Sequence, residues 1–192
     1  MKKVLMTLAA ALMAVSMNAQ GVYVGGSMGY TQTSYDGTTT RSTLEFVPEF
    51  GFSFNDFMGV GMAIGYSSST NKAVDPKLTN STFTFAPYVR LTPFHWGKVS
   101  IFADGKFAIS MNNNEQAGPN GNAVDNKTNT YGIYVQPGLA YNLNDKFSIV
   151  AKFGNLLGYR SSKPDVDGAK ATNTLSFMDL DTAVQFGVFF NS

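Results

Sequence analysis

The 192-residue chain has no cysteine, one histidine and one tryptophan, and only 14% of its residues are charged. Without cysteine there is no disulfide framework, no thiolate metal site and no lipid-modified N-terminal cysteine. A single histidine, His95, leaves a multi-histidine zinc site out of reach. Charge of both signs is scarce and balanced, with 14 Lys+Arg against 13 Asp+Glu, which argues against a nucleic-acid or polybasic membrane partner. No apolar run is long enough to cross a bilayer as a helix; the stretch from Val4 to Val15 is too short. Mean hydropathy is only −0.06, ordinary for a soluble protein. A transmembrane strand gives the same value, because half of its residues are hidden from lipid.

What the chain does have is alternation. In Leu44-Glu45-Phe46-Val47-Pro48-Glu49-Phe50-Gly51-Phe52-Ser53-Phe54 the even positions are Leu, Phe or Pro, and the odd ones include two glutamates, a glycine and a serine. Successive side chains of a strand point to opposite faces, so this segment has one greasy and one polar face. Seven further segments repeat the pattern, near 22–31, 58–66, 82–91, 99–109, 130–142, 147–153 and 180–190. About forty outward positions carry no Asp, Glu, Lys or Arg, as a lipid-facing surface requires. The opposite faces hold Glu45, Glu49, Arg90, Asp104, Lys106, Lys152 and Asp181. The pattern predicts an all-β fold: an eight-stranded antiparallel up-and-down transmembrane β-barrel.

Ahead of it, Lys2 and Lys3 precede the apolar stretch, and Ser16-Met17-Asn18-Ala19 offers a small residue for cleavage. Residues 1–19 read as a secretory signal peptide, with cleavage after Ala19, and residues 20–192 as the barrel domain. Short turns, such as Asn55-Asp56-Phe57 and Asn144-Asp145, alternate with long polar stretches such as Met111 to Gly121. Short periplasmic turns and longer outer loops are the outer-membrane arrangement, so four long loops are expected to point outward. Tyr30, Tyr66, Phe83 and Tyr131 would then form an outer aromatic girdle, and Phe54, Phe57, Phe94, Trp96, Tyr141 and Phe190 an inner one. Pro48, Pro87 and Pro137 recur outward in even-numbered strands; each reads as a local bulge or a missing ladder bond.

The candidate sites have plain readings. His95, in the turn Pro93 to Gly97, is read as a rim residue beside Trp96 and not as a general base. The aspartates of the outer stretches, Asp75, Asp125, Asp165 and Asp167, lack calcium-loop spacing. An eight-stranded interior is just wide enough for side chains to fill it. The inward carboxylates Glu45, Glu49, Asp104 and Asp181 are therefore expected to pair with Arg90, Lys106 and Lys152 as a structural charge network. No catalytic, cofactor-binding or metal-ligating residue is assigned.

Signal, alternating strands, loop asymmetry and the aromatic last strand, Ala183-Val184-Gln185-Phe186-Gly187-Val188-Phe189-Phe190, together resemble the eight-stranded outer-membrane barrels of the OmpA transmembrane-domain and OmpX/Ail type. The resemblance covers residues 20–192. Two departures stand out: Asn191 and Ser192 follow Phe190 where family members often end on Phe, and no counterpart of the OmpA peptidoglycan-binding domain is expected, so a cell-wall tether is not carried over. The resemblance implies a Gram-negative outer-membrane location, contact with outer-membrane lipids and lipopolysaccharide, and recognition of the last strand by the barrel-insertion machinery. It favours a non-enzymatic structural or surface-interaction role, through the four outer loops, with an unidentified host or surface partner. A narrow porin-like channel is the alternative. Further readings are a lipid-modifying enzyme, which lacks an outward His and Ser here, and a soluble lipocalin-like barrel, whose interior the phenylalanines would overfill. A stable barrel should fractionate with outer membrane and migrate faster unheated than boiled on a detergent gel; recovery from the soluble periplasm without a heat shift would exclude it.

Overall fold

The computed structural model describes residues 21–35, 38–71, 78–117, 123–166, 168–179 and 184–191. They form ten strands: β1 (Val22–Tyr35), β2 (Thr38–Ser53), β3 (Met58–Asn71), β4 (Leu78–Trp96), β5 (Val99–Ala117), β6 (Ala123–Asn142), β7 (Phe147–Lys152), β8 (Asn155–Pro164), β9 (Thr172–Asp179) and β10 (Gln185–Asn191). Neighbours from β1 to β6 pair antiparallel in chain order. Beyond them, β7 pairs with the end of β6, β10 with β7, and β1 with β10. The ring therefore closes over eight strands, as the alternation predicts. β8 and β9 lie outside that ring: β8 pairs with β6 over Thr128–Val135, and β9 pairs with β8.

Two of the short turns share one device. Asn55 Oδ1 accepts from the backbone N–H of Phe57 and Met58 at 2.9 and 2.8 Å, and Asn144 Oδ1 accepts from Lys146 and Phe147 at 2.9 and 2.8 Å. An asparagine bonding the backbone two and three residues on mimics a turn and fixes where the strand reverses. Between β4 and β5 the reversal is made by Gly97, whose φ of 60° is the left-handed region that glycine enters without a Cβ clash.

The polar stretches are where the sequence reading needs correction. They are mostly strand, not loop: β5 runs on to Ala117 and β6 starts at Ala123, so most of Met111 to Gly121 is paired β-ribbon. Beyond the apolar band nothing requires greasy side chains, yet the backbone ladder continues, so composition changes while the strand does not. Residues 155–179, read as a connection, contain β8 and β9, whose alternation is confined to a few residues. Leu157 and Tyr159 on β8 face Phe177 and Leu175 on β9, all exposed on the outer wall.

The prolines behave in two ways. At Pro48 the β2–β3 ladder skips from Phe46↔Tyr66 to Glu49↔Ala63, and at Pro87 the β4–β5 ladder skips from Phe85↔Ile109 to Tyr88↔Lys106. Both skips leave the register unchanged: ladder bonds are lost, but no residue is inserted. At Pro137 the partner strand is interrupted instead. Val135 faces Leu157 and Gly138 faces Lys152, so four residues oppose two, a bulge that separates β7 from β8. Phe153 N donates to Pro137 O at 3.0 Å, and Gln136 Nε2 donates to Phe153 O at 2.8 Å, so the bulge is satisfied from within.

The barrel is inside out relative to a soluble protein. Its wall exposes Phe52, Val60, Phe85, Ile133, Ile149 and Val188 among many others, while the buried set lies within the ring. An apolar surface this continuous has lipid, not water, as its solvent. Of the expected girdle residues, Tyr30, Tyr66, Phe83, Tyr131, Phe54, Phe57, Phe94, Trp96 and Tyr141 are exposed, and Phe190 is half-buried. Inside, small residues make room for large ones: a Cβ at Gly61 would overlap the Tyr88 ring, and one at Gly138 the Phe102 ring. The face assignment is checked by a pair of neighbours on β3. Met62→Arg should reduce folding stability in lipid by about 2–4 kcal/mol, by putting a charge at mid-bilayer. Ala63→Ser, at a buried inward position, should be tolerated in the same urea titration.

Candidate functional site

Inward positions of β2, β4, β5 and β7 bring five charged side chains together at mid-depth. Arg90 and Asp104 are direct cross-strand partners, and the guanidinium grips the carboxylate as a fork, Nε to Oδ1 at 2.7 Å and Nη2 to Oδ2 at 2.9 Å. Asp104 is fully buried, at 0% exposure, and Lys152 Nζ lies 3.4 Å from its Oδ2. Lys152 also donates to both oxygens of Glu49, and Tyr88 donates its hydroxyl hydrogen to Glu49 Oε2 at 3.1 Å. The fifth member, Lys106, donates to Gln136 Oε1 and makes no ion pair among the described residues. Buried charges persist only when paired and hydrogen-bonded; Glu49, Arg90, Asp104 and Lys152 meet that condition, and Lys106 is held by its hydrogen bond to Gln136 alone.

Aromatic rings surround the guanidinium. The Arg90 carbon Cζ is 4.1 Å from the Phe102 ring centre, 5.3 Å from those of Tyr23 and Tyr88, and 5.8 Å from that of Phe189. Cation–ring attraction strengthens when the pair is shielded from water, as it is here. Sequence reasoning singled out the charges, with Tyr88 as a hydrogen-bonding neighbour, and passed over Tyr23, Phe102 and Phe189. The parity of the strands carried the signal: Phe102 follows outward Ile101, and Phe189 sits between outward Val188 and Phe190.

Among the other sites named from sequence, Glu45 does not join the plug. Its Oε1 accepts from Gln185 Nε2 at 2.9 Å, on the outer side. Asp181 lies outside the described residues, as does the signal segment 1–19. His95 links two turns: Nε2–H donates to Asp56 O at 2.7 Å, which leaves Nδ1 to accept from Ser100 Oγ at 2.9 Å.

The plug divides the interior. On the side of the short turns is a chamber of about 400 Å³, with Arg90 among its lining residues. On the outer side is a smaller one, about 200 Å³, lined by Glu45, Lys106, Gln136, Asn155 and Gln185 among others. A closed strand ring with an apolar outer wall and a charged centre defines an outer-membrane β-barrel. The family model described as "Outer membrane protein beta-barrel domain" matches residues 4–190, and the chain belongs to that family. No curated protein matches it. Among solved structures the chain resembles Neisserial surface protein A (NspA), at 14% identity and a TM-score of 0.52, covering 90% of this chain and 98% of that one. It also resembles a major outer membrane protein from Thermus thermophilus, at 13% identity and a TM-score of 0.53, covering 89% and 98%. At these identities the likeness is one of fold. The protein is thus a barrel of the Gram-negative outer membrane.

The contacts predict unequal costs for removing carboxylates. Asp104→Ala strands Arg90 and reduces the support of Lys152, and should cost about 3–5 kcal/mol in urea unfolding. Glu45→Gln keeps an acceptor for Gln185 and should change stability by less than about 1 kcal/mol.

Proposed function

We propose that this barrel serves a structural and surface-interaction role, presenting its outer hairpins from a closed, non-conducting wall, and that it is not an enzyme. The observation that carries the reading is the plug. Glu49, Lys152, Asp104, Arg90 and Tyr88 join into one bonded chain at mid-depth, with a chamber on either side. A pore would need these side chains to part, at the cost of leaving buried charges unpaired.

The outer hairpins are the feature available to a partner. They are β-ribbons rich in Asn, Ser and Thr, such as Asn112-Asn113-Asn114 facing Asn126 to Thr128, with side chains suited to hydrogen bonding. Their register is held by the ladder, so a partner would meet a pre-ordered polar surface, which lowers the entropy lost on binding. The remaining assignments belong to the same reading. Residues 1–19 are removed on export, outer-membrane lipids and lipopolysaccharide surround the wall, and the last strand is recognised by the insertion machinery. No particular host or surface partner is assigned.

Purified protein in planar bilayers should give little or no stable conductance. Open-channel steps of uniform size would replace this reading with the narrow channel. Deleting the tips of the four outer hairpins one at a time should leave the heat shift on gels intact while abolishing adhesion or pull-down through at least one of them. If all four deletions bound partners as well as the intact protein, the surface role would be wrong.

A further inference from the structure

The chamber at the short-turn end has a floor and walls that the closed-barrel reading does not use. Two guanidinium nitrogens of Arg90 are committed to Asp104. The third, Nη1, makes no hydrogen bond among the described residues, and it is not among the buried polar atoms that lack a partner. Arg90 lines the chamber, so this nitrogen is presented to it. Around it stand the rings of Tyr23, Phe102 and Phe189, with Val150 completing an apolar wall. Nearer the mouth are a serine and two amides that already bond one another: Ser148 Oγ donates to Asn142 Oδ1, and Asn191 Nδ2 donates to Ser148 Oγ, both at 2.7 Å.

We propose that this chamber binds a small organic carboxylate with an aromatic or branched apolar body, its carboxylate on Arg90 Nη1 and its body against Tyr23, Phe102 and Phe189. Three features of the site favour that class. The volume of about 400 Å³ falls within the range of small-molecule pockets, which run from roughly 300 to 1,000 Å³. Of the charged side chains of the plug only Arg90 lines this chamber, so the charge on offer is that of its guanidinium, through the nitrogen not bonded to Asp104, with Asp56 the one carboxylate among the lining residues. An inorganic anion would leave the aromatic wall unused, whereas an apolar body covers it and gains from burial. The chamber opens toward the short turns, which face the periplasm in outer-membrane barrels, so the ligand would come from that side.

The test compares phenylacetate with phenylacetamide, which has the same shape and no charge, by calorimetric titration of the full-length folded barrel in a neutral maltoside detergent. The acid should bind about tenfold more tightly than the amide, as a charge-assisted bond to a guanidinium implies. Ala140→Phe, on the chamber wall, should abolish phenylacetate binding while the Arg90–Asp104 pair remains. Folding of each variant is verified by its heat shift; should Ala140→Phe fail that check, Ser148→Leu fills the same chamber from β7. Equal binding of acid and amide, no binding of either, or binding unchanged in a folded chamber-filling variant would show a water-filled barrel end only and would overturn the proposal. These outcomes are independent of conductance and of hairpin deletion.

Discussion

Asp104 is the side chain on which the interior depends. It is wholly shielded from water, it accepts the fork of Arg90, and it faces Lys152, which holds Glu49, which accepts from Tyr88. That chain ties β2, β4, β5 and β7 across the barrel. A buried ion pair is weak evidence of net stability, because desolvation offsets most of the attraction. Its strength lies in specificity. A one-residue slip of any of these strands would turn a charge toward lipid and a phenylalanine inward, so the pairs select one register from among its neighbours.

Size matching around the plug works to the same end. Tyr88 lies over Gly61 and Phe102 over Gly138, each ring occupying the space that a neighbouring strand leaves bare. The rings pack against the Arg90 guanidinium, so the apolar and the charged parts of the core form one body and not two layers. Because this body sits at mid-depth, it leaves a chamber at either end and puts the parts open to solvent at the rims. The family to which the chain belongs accommodates this plan: the wall meets the membrane, and the ends are left to carry whatever is particular to the protein.

Alternation made the ring legible. The period of two marked the eight membrane-crossing segments, their outward sets and the seam of charges within, because lipid tolerates no error on the outer face. It could not mark where strands end, since outside the apolar band the ladder continues without a hydrophobic signature, and the outer half of β5 was invisible for that reason; β8 and β9 carry only a short alternation, Leu157 with Tyr159 and Leu175 with Phe177, too brief to mark a full crossing. Nor could it separate a proline that only drops ladder bonds, as at Pro48 and Pro87, from one beside an inserted pair of residues, as at Pro137.

Which charges meet was only partly written in the sequence. Arg90 and Asp104 belong to one hairpin, and a short reversal places them opposite each other. Glu49 and Lys152 are 103 residues apart, and their meeting depends on ring closure, which the pairing of β1 with β10 decides. The same closure separates Glu45 from the plug and gives it Gln185 instead of a cation. The sequence by itself determined the strand period, the lipid-facing surface and the polarity of the interior, because each is a local property of alternate residues. Only the tertiary structure decided the partners, the aromatic enclosure of Arg90 and the chamber beneath it, because those are set by distances across the barrel that no local pattern records.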